Sequence, residues 1–495
     1  MTIFFSGQDY KYELEGICKL FFPLKKFKHC YDQIVLSTDE DYIITRLKKH
    51  SKTTLLWVRV KVGTRIKSAH IRVENDDVNY SNGCERNLST LLYSVLSELT
   101  SINPSWGILT GVRPVAILQK QRAQGKSDEE IIRFFKEKYL VSDDKLDLAF
   151  KTANTQAKLL EDTIENSYSL YISIPFCVSR CSYCSFVSHA IDRPNATDKI
   201  DEYIDLLCIE LEETSHLAKK LRLTLDTIYI GGGTPTALSA ENLQRVTDAI
   251  TQNFDVPSAR EYTIEAGRAD TITREKLEVI KNSGAKRISV NPQTFNDAVL
   301  QEIGRKHTAK QAEDCYHLAK EMKIDCINMD FIAGLPTDTF ESFKHTIDKA
   351  IELAPTNITV HTLSIKRSAD LFTADGIEEY AKSNMTGKMT EYAKEKIIKA
   401  GYMPYYLYRQ KNTIGNLENV GYAMSGYESL YNVYIMDEMQ TILACGAGGV
   451  TKLVGNGEKP IERIFNFKYH FEYISRFSEI LDRKARVISF YDKGV

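Results

Sequence analysis

The period of the hydrophobic pattern changes along the chain, and the predicted architecture changes with it. Over residues 1–80 the pattern is that of short strands. TTLLWVRVKV (53–62) and SAHIRVEN (68–75) are rich in β-branched and aromatic residues with partial alternation, as in half-buried strands. Gly63 and its polar neighbours predict a turn between them, and so an antiparallel sheet. From residue 87 the period lengthens. NLSTLLYSVLSEL (87–99) repeats Leu at helical spacing, Ser127 with Glu130 ahead of IIRFF is a capping-box signature, and 142–165 reads as a longer amphipathic helix. In WGILTGVRPVAIL (106–118), Gly111, Arg113 and Pro114 predict a turn into a helix, and Arg113 suits a surface salt bridge better than an acidic ligand. These elements predict an N-terminal α+β domain over 1–165, with no chemistry legible in it.

From 168 strand-length runs alternate with helical ones. The strands are YISIPF (171–176), LDTIYI (225–230), YTIEAG (262–267), RISVNPQT (287–294), INMDFIAGLP (327–336) and NITVHTLSI (357–365). ENLQRVTDAITQNF (241–254) is one of the intervening helices; Thr273 is a predicted N-cap and Gly284 a predicted helix stop. Six strand–helix repeats predict an α/β arrangement of parallel strands with helices outside. In a barrel of that kind the chemistry lies at the C-terminal strand ends. Beyond about 370 come a helical stretch (MTEYAKEKIIKAGY), then MPYYLYRQKNTIGNLENVGY, and a Gly-rich turn, ACGAGGV (444–450), followed by Arg463 and Asn466.

A chain of 495 residues is too long for one small core and predicts two or three domains. A formal net charge of −2 argues against nucleic acid as a partner of the chain as a whole, leaving only a local basic patch open. No apolar run has the length of a membrane span, and the N-terminus lacks the pattern of a signal peptide. Of the ten cysteines three are clustered and seven scattered; without a secretion signal this predicts a cytoplasmic protein in a reducing compartment.

The clustered three lie in YISIPFCVSRCSYCSF: Cys177, Cys181 and Cys184, spaced C-x3-C-x2-C directly after a predicted strand. Zinc favours four closed ligands, and no fourth Cys or His completes a finger here. Three thiolates suit a [4Fe–4S] cluster with one iron left open. The strand 225–230 runs into Gly231-Gly232-Gly233-Thr234-Pro235-Thr236. That is a simple Gly-rich turn or a place where a ligand meets the backbone, and it lacks the ending of a Walker A loop. Glu265, Gln293, Arg305 and Asp330 are polar residues in or beside otherwise apolar strands. Burying them needs partners: an internal salt bridge of Arg305 with Glu265 or Asp330, or a ring of groups around a polar ligand.

The cysteine motif with GGGTP and DFIAGLP resembles the radical S-adenosylmethionine enzymes, in their oxygen-independent coproporphyrinogen III oxidase-like branch, of the type named coproporphyrinogen dehydrogenase. The resemblance covers about 168–410. It implies a partial (β/α)6 barrel over 166–370, followed by a C-terminal α+β extension, 371–495, that covers the substrate. It implies two cofactors, a [4Fe–4S] cluster on Cys177, Cys181 and Cys184, and S-adenosylmethionine. Contacts to the latter carry over to Tyr171, Tyr183, Gly232, Gly233, Thr234, Glu265, Gln293, Arg305, Asp330 and Ser364. The activity implied is radical-initiated oxidative decarboxylation of coproporphyrinogen III to protoporphyrinogen IX, a tetrapyrrole reaction supplied by an unidentified electron donor. Tyr405, Tyr406, Tyr408, Arg409 and Lys411 resemble the family's tetrapyrrole-covering region, where rings stack and cations pair with propionates. Lys366 and Arg367 are better placed, after the sixth strand. One departure counts against the oxidase: the family's oxidases carry a further cysteine where this chain has Phe186. Heme chaperones of the same branch share that Phe, which makes heme binding the alternative, with His189 and His361 as candidate ligands.

Overall fold

The computed structural model describes residues 1–23, 25–32, 34, 40–75, 80–111, 113–186, 188–192, 199–364, 385–410, 413–455 and 460–492. The chain divides into two compact units. Unit 1 comprises Met1–Ala153, Thr373–Gly387 and Tyr408–Glu418; unit 2 comprises Asn154–Phe372, Lys388–Leu407 and Asn419–Val495.

Unit 1 is built on a five-stranded sheet: β1 (Thr2–Ser6), β2 (Lys28–Tyr31), β3 (Tyr42–Lys49), β4 (Thr53–Val62) and β5 (Arg65–Glu74), in the order β2-β1-β3-β4-β5. The alternation in β4 sends Leu56, Val58 and Val60 into the core with Ile3 and Phe5, against Leu88, Leu92 and Leu96 of the helix Tyr80–Thr100. The β4–β5 turn uses Gly63 at φ +58°, a backbone state that glycine adopts at least cost. The expected antiparallel pairing holds for β3–β4–β5, but β1 is parallel to both its neighbours. Between β1 and β2 the helix Lys11–Phe21 carries the chain back to the starting edge, and such a crossover imposes parallel pairing. The Ser127 capping box forms as predicted, with both reciprocal bonds to Glu130.

Unit 2 holds an eleven-stranded sheet. Its centre is β6 (Ser167–Ile174), β9 (Thr224–Gly232), β10 (Glu261–Gly267), β11 (Arg287–Val290), β12 (Cys326–Ala333) and β13 (Asn357–Thr362). These six are parallel and stand side by side in sequence order. Each of the first five is followed by at least one helix. This is the partial (β/α)6 arrangement. The strand predicted at 287–294 stops at Val290; Gln293 sits beyond it at φ +71°, tied by an isolated bridge to Phe331. Thr273 caps the helix Arg274–Asn282 as expected.

A short paired loop, β7 (Phe176–Cys177) with β8 (His189–Ala190), lies between β6 and β9. At the far edge β14 (Met403–Arg409) and β15 (Glu418–Ala423) extend the sheet, β15 running antiparallel to β13. At the near edge β16 (Thr441–Cys445) joins β6 in parallel, followed by β17 (Val450–Leu453) and β18 (Glu462–Phe465). The seventh parallel strand, β16, was not among those predicted. Its run TILAC is wholly buried, so it shows no alternation.

Within unit 1, Glu418 forms a buried polar node, accepting from Lys145 Nζ at 2.6 Å and from Trp106 Nε1 at 2.8 Å. Removing one partner of a buried pair leaves the other charge uncompensated. Glu418→Ala is therefore expected to cost about 3–5 kcal/mol, read from urea unfolding; an unchanged midpoint would show that the node adds nothing to stability.

Candidate metal and cofactor site

The cysteine loop starts where β6 ends. The β7–β8 pairing closes it, with His189 N–H donating to the Pro175 carbonyl at 2.7 Å and Ile191 N–H to that of Cys177 at 2.9 Å. Cys181 and Cys184 lie in the enclosed turn, joined by a Cys184 N–H bond to the Cys181 carbonyl at 3.0 Å. Cys177 and Cys181 are buried and Cys184 partly so. Burial raises the Cys184 thiol above its ordinary range, and the neighbouring Cys181 and Cys177 raise it further, against a lowering by the Phe186 backbone. A thiol that burial and its neighbours hold protonated is one whose ionisation a cationic iron would favour. Among the described residues no three His, Cys, Asp or Glu side chains stand close enough to share a single metal ion. In a cuboidal cluster each thiolate takes a different iron, so its three donors need not share one ion.

Two flanking segments hold this loop. Gly233 N–H donates to Ile174 and Thr234 N–H to Phe176, each at 2.7 Å. A Cβ on Gly233 would sit 2.4 Å from the Phe176 carbonyl oxygen and 3.0 Å from Cys177 Sγ, so only glycine allows this approach. With those N–H groups spent, the segment offers a ligand acceptors rather than donors, which suits an ammonium group. From the other side Arg268, buried at the end of β10, donates from Nη1 to the Ser179 carbonyl and to Ser179 Oγ, each at 3.0 Å, and reaches Cys181 Sγ at 3.9 Å. Its Nε and Nη2 form a fork on Asp270 at 3.0 and 2.7 Å. Burial works to raise Asp270, but His307 and the Arg268 fork hold it well below the usual carboxylate range.

The inward positions of the parallel strands carry a polar ring. Tyr171 (β6), Tyr229 (β9), Glu265 (β10), Asp330 (β12) and His361 (β13) are all only partly buried, among fully buried strand neighbours. Tyr229 Oη donates to Glu265 Oε1. Burial lifts the Glu265 carboxyl to about 7; the Asp330 charge adds to the rise, while Tyr229, His361 and the Gly232 N–H oppose it. Asp330 accepts from Asn328 Nδ2 at 2.7 Å and lies 3.8 Å from His361 Nε2; despite burial, these partners hold it below its ordinary value. The internal salt bridge to Arg305 does not form. Arg305 instead donates to the Asn291 carbonyl at 3.0 Å and to Tyr183 Oη at 3.1 Å. Its Nε, Asn291 Oδ1 and Tyr431 Oη are buried without a partner, and buried polar groups of that kind ask for a ligand or water. Arg305, Asn291 and Tyr183 thus fit a polar cofactor beside the cysteine loop.

Residues 171–350 match the Radical SAM superfamily. Over 432 residues the chain is 37% identical to the oxygen-independent coproporphyrinogen-III oxidase-like protein HemZ of Bacillus subtilis, covering 86% of each. The chain belongs to the radical SAM superfamily, in its oxygen-independent coproporphyrinogen III oxidase-like branch. Its cofactors are a [4Fe–4S] cluster and S-adenosylmethionine. It is also 30% identical over 327 residues to the heme chaperone HemW of Lactococcus lactis, covering 66% of this chain and 80% of that one. The solved coproporphyrinogen III oxidase HemN of Escherichia coli shares the fold, with a TM-score of 0.50 over 66% of this chain and 72% of that chain at 22% identity.

Other residues of this radical SAM chain fall differently from expectation. Arg409 is not free for a tetrapyrrole carboxylate: it is buried and donates to the carbonyls of Leu109, Gly111 and Asn416, all in unit 1. Tyr405 and Tyr406 are buried too. A local run of aromatics and cations carries no information about which side of a strand is covered. Lys366, Arg367 and Lys411 lie outside the described residues, and Ser364 is the last residue described before 365. Phe186 is 69% exposed.

Sequence reasoning missed Arg268, Asp270 and Tyr431. Arg268 carried a usable signal, a cation directly after a predicted strand. Tyr431 carried none. It arrives on the helix Leu430–Asp437, whose first N–H groups and Ser429 Oγ are held by the Glu261 carboxylate, and stacks on Tyr229 at 4.3 Å. The GAGG turn after β16 is structural: Gly446 N–H donates to buried Glu210 at 2.7 Å, and Ser173 Oγ to the Ala447 carbonyl at 2.7 Å.

Two outcomes follow from this geometry. Arg268→Leu is expected to loosen the cysteine loop in the cluster-free chain. The Ser182 and Cys184 amides should exchange with solvent roughly tenfold faster or more, the loss of about one charge-assisted hydrogen bond of 1.5 kcal/mol; unchanged protection would remove Arg268 from the loop's support. For Glu265, the folded chain holds the proton more tightly than the unfolded chain. Its contribution is whole below the ordinary carboxylate range and is lost as pH rises through about 7. Between pH 5 and 8 the ligand-free wild type should therefore lose about 2 kcal/mol relative to Glu265→Gln, measured by denaturant unfolding at each pH; parallel curves would contradict it.

Proposed function

We propose that this chain carries out the oxygen-independent oxidative decarboxylation of coproporphyrinogen III to protoporphyrinogen IX, in the cytoplasm, with electrons from a separate donor. Cys177, Cys181 and Cys184 hold the cluster. Tyr171, Tyr183, Gly232, Gly233, Thr234, Glu265, Gln293, Arg305, Asp330 and Ser364 surround S-adenosylmethionine. The observation that carries the cofactor assignment is the conjunction of a three-thiol loop with unpartnered polar atoms, Arg305 Nε and Asn291 Oδ1, on the side that Tyr183 connects to that loop. The substrate assignment rests on the likeness to HemZ over most of both chains.

When bound, the two cofactors would supply radical chemistry directed at a substrate propionate. The chain supplies position and exclusion of water. Arg305 suits the methionine carboxylate, as a guanidinium with one donor unspent. The acceptor edge at Gly232–Gly233 suits the ammonium group. Glu265 and Asp330 suit hydroxyl groups. Their different environments keep Asp330 ionised at neutral pH while Glu265 sits close to its own midpoint. Glu265 can therefore donate or accept as a ligand requires.

A second reading, a heme-binding delivery protein on the same scaffold, is favoured by exposed Phe186 in place of a cysteine and by the likeness to HemW. The deciding experiment is anaerobic: reconstituted chain, reductant, S-adenosylmethionine and coproporphyrinogen III, with both products analysed by mass. We expect 5′-deoxyadenosine and a tetrapyrrole lighter by one and then two units of carbon dioxide plus two hydrogens, all lost in Cys181→Ala together with bound iron and sulfide. Cleavage of S-adenosylmethionine with an untouched tetrapyrrole would overturn the decarboxylase reading and favour the heme carrier.

A further inference from the structure

Arg268 holds the cysteine loop, but holding a loop does not require a guanidinium whose other edge is tied to a carboxylate. The residue follows β10 and is 3% exposed. Directly after it the short turn Ala269–Thr271 folds the chain back, with Thr271 N–H and Oγ1 donating to the Arg268 carbonyl at 3.0 and 2.7 Å. That turn sets Asp270 beside Arg268, where it accepts the fork from Nε and Nη2. Despite burial, His307 and Arg268 hold Asp270 ionised. The pair therefore has a direction. The carboxylate occupies one edge of the guanidinium. The other edge, Nη1, faces the loop, with Ser179 at 3.0 Å and Cys181 Sγ at 3.9 Å.

The three sulfurs have different surroundings. Cys177 Sγ has the Thr234 hydroxyl at 3.5 Å. Cys184 has the Phe186 backbone and Arg180, an exposed residue whose charge solvent screens. Cys181 has the buried Arg268. Arg305 also acts on Cys181, but its Nη1 and Nη2 serve Asn291 and Tyr183. At 3.9 Å the contact of Arg268 with sulfur is one of charge more than of hydrogen bonding.

We propose that Arg268 sets the reduction potential of the cluster by presenting the positive end of the Arg268–Asp270 pair to Cys181. This rests on the cluster standing on Cys177, Cys181 and Cys184. An electron entering a cluster adds a negative charge, and donors or cations beside a ligand sulfur favour that state. In a buried site such an interaction is weakly screened. Asp270 acts with the opposite sign from beyond the guanidinium, so the pair works as an oriented dipole. Its effect is smaller than that of a bare charge, and either end can change it. Arg268 is thus a positioning residue that acts through Cys181 rather than on a substrate.

The test is an anaerobic redox titration of the reconstituted full chain without S-adenosylmethionine, followed by electron paramagnetic resonance of the reduced cluster. Arg268→Gln should make reduction about tenfold less favourable or more, which for one electron is a midpoint about 59 mV lower. Asp270→Asn leaves the guanidinium without its counter-charge and should move the midpoint about as far in the opposite direction. Arg268→Lys keeps the charge but cannot form the fork, and its midpoint should fall between those of Arg268→Gln and the wild type. A purely structural role predicts something else: loosening the loop in either variant admits water and shifts both midpoints the same way. Coincident midpoints, or shifts of one sign in Arg268→Gln and Asp270→Asn, would overturn the proposal. Asp270→Asn retains Arg268, so an unmoved or lowered midpoint there overturns it even where Arg268→Gln holds no cluster. Iron and sulfide retained in Cys181→Ala would overturn the cysteine assignment and the proposal with it, whereas equal midpoints in fully loaded chains overturn the proposal alone.

Discussion

The pairing of Phe176–Cys177 with His189–Ala190 is the constraint on which the site depends. A loop that must face three thiols into one space gives up much conformational freedom, and sulfur lone pairs do nothing to hold it before metal arrives. The short ladder fixes its two ends. Ser182 N–H on the Ile303 carbonyl and the Arg268 contacts to Ser179 fix its middle. The loop is thereby tied to the residues after β10 and β11 as well as to β6 and β9. The ends of β6, β9 and β10 and the segment after the helix Asp297–Glu302 converge on it, which is why the cofactor donors can come from segments far apart in sequence.

The parallel sheet also explains the polar ring. Strands buried on both faces are costly places for carboxylates, yet Glu265 and Asp330 occupy inward positions on β10 and β12. They are tolerated because they answer different partners. Tyr229 and a neighbouring N–H share Glu265, while Asn328 and His361 hold Asp330. Arg305, which simple charge matching would have placed between them, goes to Tyr183 instead. The guanidinium is thus drawn to the cysteine loop, and the two carboxylates stay available to neutral or hydroxyl-bearing groups.

Unit 1 obeys a different economy of charge. Its buried node of Lys145, Glu418 and Trp106 is closed and fully partnered, and Arg409 is spent on backbone carbonyls. On the other side of its sheet a second, smaller cluster forms, with Trp57 packed against buried Phe4, Tyr42 and Ile44 and Arg46 lying over the Trp57 ring. A node of the first kind fixes where a late segment of the chain, Tyr408–Glu418, docks within its unit.

Features that depend on near neighbours in the chain were legible before any folding was considered. The C-x3-C-x2-C spacing, the glycines of GGGTP, the capping box at Ser127, and the six strand–helix repeats are local patterns, and local geometry enforces them. The family resemblance rested on those same short motifs. Tertiary structure alone decided the rest. The wholly buried run at 441–445 became a seventh parallel strand because β6 had an open edge, and no alternation announced it. Tyr431 reached the inner ring because Glu261 captured the start of its helix. Arg409 and Arg305 found partners that no nearby residue foretold. In each case the choice was made by burial and by hydrogen bonds between segments distant in sequence. A charge or ring in the chain carries no mark of which surface will cover it, and the cost of leaving it unpartnered is settled only when the sheet closes around it.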